Sequence, residues 1–163
     1  MRIAQAACNF LVVNPMAWSA DWAWGAPLIV LTVVIHVLGL GLIYQKAVRV
    51  SSDMMERRHA LVMFVVVMGA TTLLATGVHA VEAGIWAAAY RLLGALPDNK
   101  SAMLYSLSAI TSYGHANLVL EKHWQLMGAI EALNGMLVFG LTTAFMFGII
   151  DRVWLFDGRA TPN

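Results

Sequence analysis

Charge is what this sequence has least of: only 12% of its 163 residues are Asp, Glu, Lys or Arg, against about 25% in an ordinary soluble domain. So few charges cannot cover the water-facing surface of a globule this size, so a freely soluble domain is excluded. The formal net charge is +1 with no long basic or acidic run, so nucleic acid has no electrostatic footprint to meet. Cysteine is nearly absent as well. Cys8 stands alone, which excludes an intramolecular disulfide framework and any cysteine-based zinc cage and leaves the redox compartment unread. What fills the chain instead is apolar surface, 60% of all residues.

About 20 consecutive apolar residues cross a bilayer as a helix, and three stretches qualify. The first is an additional helix over 27–50, apolar from Pro27 to Tyr44, with Pro27 suited to a helix start and the polar run after Tyr44 as a stop. The second starts at Ala60, is apolar to about Ile85 and continues in amphipathic form to residue 94. The third runs from Trp124 to Ile150 and is closed by Asp151 and Arg152. Residues 1–26 read as an interfacial segment rather than a signal peptide, because Cys8, Asn9, Asn14 and Pro15 break the apolar run. The segment 153–163 reads as a short tail, too short for a ligand-binding domain.

Between the second and third spans, Pro97 to His123 carries its own short apolar stretch, Ser101 to Ile110, too short to cross. It is either a surface loop or a re-entrant element, and backbone of the second kind survives at membrane depth only when protein buries it or when it lines a watery cavity.

Lys46, Arg49, Arg57, Arg58, Arg152 and Arg159 lie on one side of this arrangement, and Arg2, Arg91, Lys100 and Lys122 on the other. The positive-inside bias predicts a cytoplasmic C-terminus and an N-terminus outside. It also sets Trp18, Trp22, Trp24, Trp86 and Trp124 near the outer interface, where indoles favour the headgroups.

The segment Ala102-Met-Leu-Tyr-Ser106-Leu-Ser-Ala-Ile-Thr111-Ser-Tyr-Gly114-His-Ala-Asn117, followed by Trp124-Gln-Leu126 and Glu131-Ala-Leu-Asn-Gly135, resembles bacterial members of the two-transmembrane, potassium-channel-like ion-channel family. Those commonly read A-L-Y-F-S-L-V-T-x-T-T-L-G-Y-G-D and then W-R-L-L-x-x-x-E-A-x-x-G, a match without a gap from Ala102 through Gly135. Looser similarity takes in His79, Glu82 and Trp86. The resemblance implies an all-α integral membrane protein with three transmembrane helices and a re-entrant pore helix and filter loop between the last two. It also implies a homotetramer in the lipid bilayer of a bacterial inner membrane. The pore domain would be 60–152, with an outer helix over 60–94, pore helix and filter over 98–117 and an inner helix over 124–150.

On that resemblance the filter is Thr111, Ser112, Tyr113, Gly114, His115, Ala116 and Asn117, holding monovalent cations, potassium or sodium, on rings of backbone carbonyls. The chain departs from the family there. In the ungapped register only Gly114 is identical; in the other, Tyr113-Gly114 takes the place of the family's Tyr-Gly and Ser112 that of the first glycine. Either way one of two filter glycines is missing, and left-handed backbone is costly for any other residue. His115 would add four imidazoles to the mouth, cationic in acid. The expected function is a cation channel of weakened or altered selectivity. A non-conducting or accessory protein of the same fold is the alternative, and a b-type haem held by His36 and His79 is a more distant one.

Polar residues inside spans are candidates for function. Glu131 and Asn134, one turn apart with Thr142 further along the same face, either line a cavity or brace the filter from behind. His79 and Glu82, at i and i+3, meet as a helix-capping or loop-anchoring pair, since a metal site lacks a third ligand nearby. His36 is expected to hydrogen-bond a neighbouring helix. Gly135 and Gly140 serve either as a gating hinge or as points of close packing. No catalytic residue and no metal site is expected: Ser106 and Ser108 read as pore-helix residues with no base beside them, so the chain is not expected to be an enzyme.

Overall fold

The structure is a computed structural model and describes residues 15–54, 60–114 and 118–157. Among them there is no strand. The elements are α1 (Pro15–Met54), α2 (Ala60–Leu92), α3 (Asn99–Ile110), a single 3-10 turn (Lys122–Trp124) and α4 (Gln125–Asp157). Three segments, Ser19–Val50, Leu61–Leu92 and Lys122–Arg152, are helical, long and apolar enough to cross a membrane. The described chain is thus all-α, as expected of an integral membrane protein.

Several boundaries differ from the sequence reading: the first helix runs on to Met54 and α4 to Asp157, past the stops expected at 50 and 151–152, and the largest difference is at the start of α1. Pro27 does not start a helix; it lies inside α1, which begins at Pro15. Proline lacks the N–H that would bond the carbonyl of Ala23, yet the preceding turns are held by packing. Gly25 lies so close to Ile130 of α4 that a Cβ would sit 3.0 Å from its Cγ2, and Asp21, one turn earlier, is buried. Residues 15–26 are therefore part of the first long helix and not a separate interfacial segment. Cys8 and the rest of 1–14 lie outside the described residues.

α1 packs on α2 and on α4, and α3 is wedged between α2 and α4. Local chemistry explains the turn into α3. α2 closes on Gly94, whose positive φ of 66° lets its N–H reach the carbonyl of Arg91 and lets Ala95 N–H reach that of Tyr90, the paired closure that glycine makes without steric cost. Asp98 then caps α3 by accepting from the N–H of Ser101 at 2.9 Å and from its hydroxyl at 2.7 Å.

The path of α3 is fixed at both ends. Arg91 donates to Asn99 at its start, Ser106 meets the carbonyl of Ala83 midway, and Ile110 at its end abuts Gly135. Gly135 is ten residues into α4, about 15 Å along the axis at 1.5 Å per residue. The chain then comes back, for Glu121 N–H reaches the carbonyl of Ala95.

The main apolar core gathers around this wedge: Trp86 and Tyr90 of α2, Ala102 and Ile110 of α3, and Trp124, Met127 and Ile130 beside them are all buried. Trp86 and Trp124 are thereby enclosed by protein, whereas Trp22 and Trp24 remain exposed. Elsewhere the long helices turn Val, Leu and Phe outward, as a lipid-facing surface does.

Candidate functional site

Two polar assemblies occupy the interior of the helices. The first lies behind α3. Glu131 of α4, completely buried, accepts from Tyr90 Oη at 2.6 Å through Oε2 and from Ser106 Oγ through Oε1. Ser106 Oγ is also 2.8 Å from the carbonyl of Ala83, and its one proton serves either acceptor. One carboxylate thus joins α2, α3 and α4. A turn further along α4, buried Asn134 donates to Thr32 Oγ1 of α1 at 2.9 Å. Thr32 in turn donates to the carbonyl of Leu28 or Ile29 on its own helix. Glu131 and Asn134 therefore act on different neighbours, although they share one face.

The second assembly lies deeper along α4. His36 of α1 sets Nδ1 at 2.8 Å from Glu82 Oε1, with both side chains enclosed. His79, one turn before Glu82 on α2, has Nδ1 at 3.3 Å from Oε2. On the opposite edges, Thr142 Oγ1 lies 3.1 Å from His36 Nε2 and 3.0 Å from His79 Nε2. The two rings are 5.0 Å apart. His79 and Glu82 come close as their i, i+3 spacing predicts, but without a hydrogen bond between them and inside α2, where they neither cap a helix nor anchor a loop; His36 does bond a neighbouring helix. What sequence spacing missed is that these are one cluster: the ligand thought absent beside His79 and Glu82 is His36, from another helix.

The segment after α3 is more open. Thr111 has a φ of −85°, Ser112 of +55° and Gly114 of +72°. Ser112 N–H bonds the carbonyl of Ala109 and Tyr113 N–H that of Ser108, so a serine takes the left-handed closing position that glycine usually occupies. Thr111, Ser112, Tyr113 and Gly114 are all exposed, Tyr113 to 81%. A cavity of about 340 Å³ opens beside them, lined by Tyr105, Ser108, Ser112 and Gly114 on one side and Gly128 and Ala132 of α4 on the other. His115, Ala116 and Asn117 lie outside the described residues.

The glycines of α4 divide. A Cβ on Gly135 would lie 2.7 Å from Ile110 Cα, and one on Gly128 would be 3.1 Å from Tyr105 Cζ. Gly140 has nothing within 4 Å of such an atom. Sequence inspection also passed over Asp21 and Tyr90. Asp21 is buried, and its Oδ1 has no hydrogen-bond partner; no periodicity marks it, because Trp22 and Trp24, which follow it, face outward. Tyr90 could have been found as the polar-tipped ring on the apolar face that carries Trp86 and Ala83.

Comparison of the chain with protein-family models, with curated proteins and with solved structures finds no match.

Proposed function

We propose that the chain is one subunit of a homotetrameric, potassium-channel-like cation pore with weak selectivity, α3 being its pore helix and residues 111–117 its filter. One observation carries the reading. A short helix capped by Asp98 begins beside Arg91, ends against Gly135 about 15 Å along α4, and leaves the next four residues exposed while the backbone returns to Ala95. Backbone exposed at that depth is tolerated where it lines a watery path, and four such segments around an axis supply one.

Other features support it. Positive φ at Ser112 and at Gly114, with Tyr113 between, favours the register in which Tyr113-Gly114 takes the Tyr-Gly place and a serine the first glycine's. The Glu131 carboxylate is then a brace, tying the pore helix to both flanking spans. The outward apolar face of α4, with Leu133, Met136 and Leu137, suits contact with other copies or with lipid. The charge bias supports a cytoplasmic C-terminus and an N-terminus outside, and the resemblance of the sequence to the channel family supports a bacterial inner membrane.

Reversal potentials in planar bilayers reconstituted with the purified protein test the reading. Comparable potassium and sodium permeability is expected. Strict potassium selectivity without a pH response would overturn weak selectivity, and a silent bilayer with correctly folded protein would favour the non-conducting alternative.

A further inference from the structure

His36, His79 and Glu82 each offer a ligand atom within 4.8 Å of the others, and with both imidazoles neutral and Glu82 ionised at least one Nδ1 faces the carboxylate without a proton. Thr142 Oγ1 has three neighbours within 3.1 Å: the carbonyl of Val138 and the Nε2 atoms of both histidines. A hydroxyl has one proton and two lone pairs. It can donate to at most one of the three, so at least one imidazole must carry its proton on Nε2 and donate it to Thr142. A neutral imidazole of that tautomer has a bare lone pair at Nδ1, and on both rings Nδ1 points at Glu82. When the hydroxyl donates to Val138, both Nδ1 atoms are bare. Lone pairs thus converge on a carboxylate in an enclosed site, and Glu82 Oε2 and His79 Nδ1 have no hydrogen-bond partner. One cation at the centre, bound by both Nδ1 atoms and the carboxylate, would pair these lone pairs.

We propose that this cluster is a binding site for a divalent transition-metal ion of the zinc class, held by His36 Nδ1, His79 Nδ1 and the Glu82 carboxylate. Two imidazoles and one carboxylate are a donor set that suits zinc, which leaves a fourth position for water or another ligand. Thr142 supplies what metal-bound histidines require on their far side, a hydrogen-bond partner that fixes tautomer and ring orientation. The ligands come from α1 and α2 and the supporting hydroxyl from α4, so a bound ion fastens the first helix to the two that flank α3. His79, 17% exposed at its side chain, is the open edge. The site is independent of whether residues 111–117 conduct.

The test uses the full chain, without an affinity tag, purified in detergent and stripped with a chelator. Cobalt(II) is the optical probe and zinc the competitor. The expected result is one ion per chain, visible d–d bands from nitrogen and oxygen ligands, displacement of cobalt by zinc, and a raised melting temperature in zinc. His36→Asn and His79→Asn should each remove the bands. Thr142→Val should keep them but weaken affinity about 10–100-fold. His123→Asn, outside the cluster, should change nothing. Failure of helical, folded wild-type protein to bind either ion would overturn the site, with no appeal to a variant that misfolds, as would bands that persist in the His36→Asn, His79→Asn double variant. Current in bilayers is read separately, so loss of this site leaves the pore reading standing.

Discussion

Gly135 of α4 lies against the backbone of Ile110, the last residue of α3, so closely that a Cβ would stand 2.7 Å from Ile110 Cα and 2.9 Å from its carbonyl carbon. Main chain, not a flexible side-chain tip, occupies that space, so the end of the short helix is registered on α4 through the absence of a side chain.

Gly135→Ala should therefore displace α3 or destabilise the protein by about 1–3 kcal/mol, the range for overpacking a close contact. Gly140→Ala, with open space around it, should be neutral or gain up to about 1 kcal/mol from helix propensity. Thermal unfolding in detergent compares the two. Equal effects would show that close packing is not what Gly135 provides.

The Glu131 brace makes a second expectation. Glu131→Ala leaves the Tyr90 hydroxyl buried without an acceptor, whereas Ser106 keeps the carbonyl of Ala83. A stranded buried group costs about 1–3 kcal/mol. Tyr90→Phe and Ser106→Ala, each combined with Glu131→Ala in a double-mutant cycle read by unfolding, should give the larger coupling for Tyr90.

Asp98 provides a pH-dependent element outside the spans. The hydrogen bonds from the Ser101 hydroxyl and N–H hold its carboxyl below the usual carboxylate range. A depressed folded-state value means that the cap is fully effective above the unfolded-state value, and its contribution disappears as pH falls through the folded one. Amide exchange in the first turn of α3 should rise in strong acid, and in Asp98→Ala at neutral pH, while Asp98→Asn retains most of the protection.

At the pore mouth the expectation rests on His115 alone. In the proposed tetramer, protonation in acid would add positive charge from four imidazoles and repel cations. Current should fall on acidification and lose that response in His115→Asn. Ser112→Gly, which restores the family's first glycine in the register that the positive φ at Ser112 and Gly114 favours, should raise potassium selectivity.

The spans, the short intervening helix and the nearness of His79 to Glu82 were legible in the sequence, because each depends on local order: apolar run length and i, i+3 spacing. The start of α1 was misread at Pro27, where a helix tolerates a missing bond because Asp21 and Gly25 pack inward before it. That Trp86 and Trp124 fill the core around α3 was not legible, because nothing local tells an indole packed on protein from one facing lipid.

By itself the sequence determined that this chain belongs in a membrane, where its spans fall, and which few polar residues they carry. Only the tertiary structure decided what those residues do together. Helices apolar on every side carry no amphipathic signal to show which face turns inward or at what height two of them meet. The packing of α1 on α2 and α4 therefore decided that His36 joins His79 and Glu82, that Thr142 closes their ring, and that Glu131 takes its hydrogen bonds from Tyr90 and Ser106.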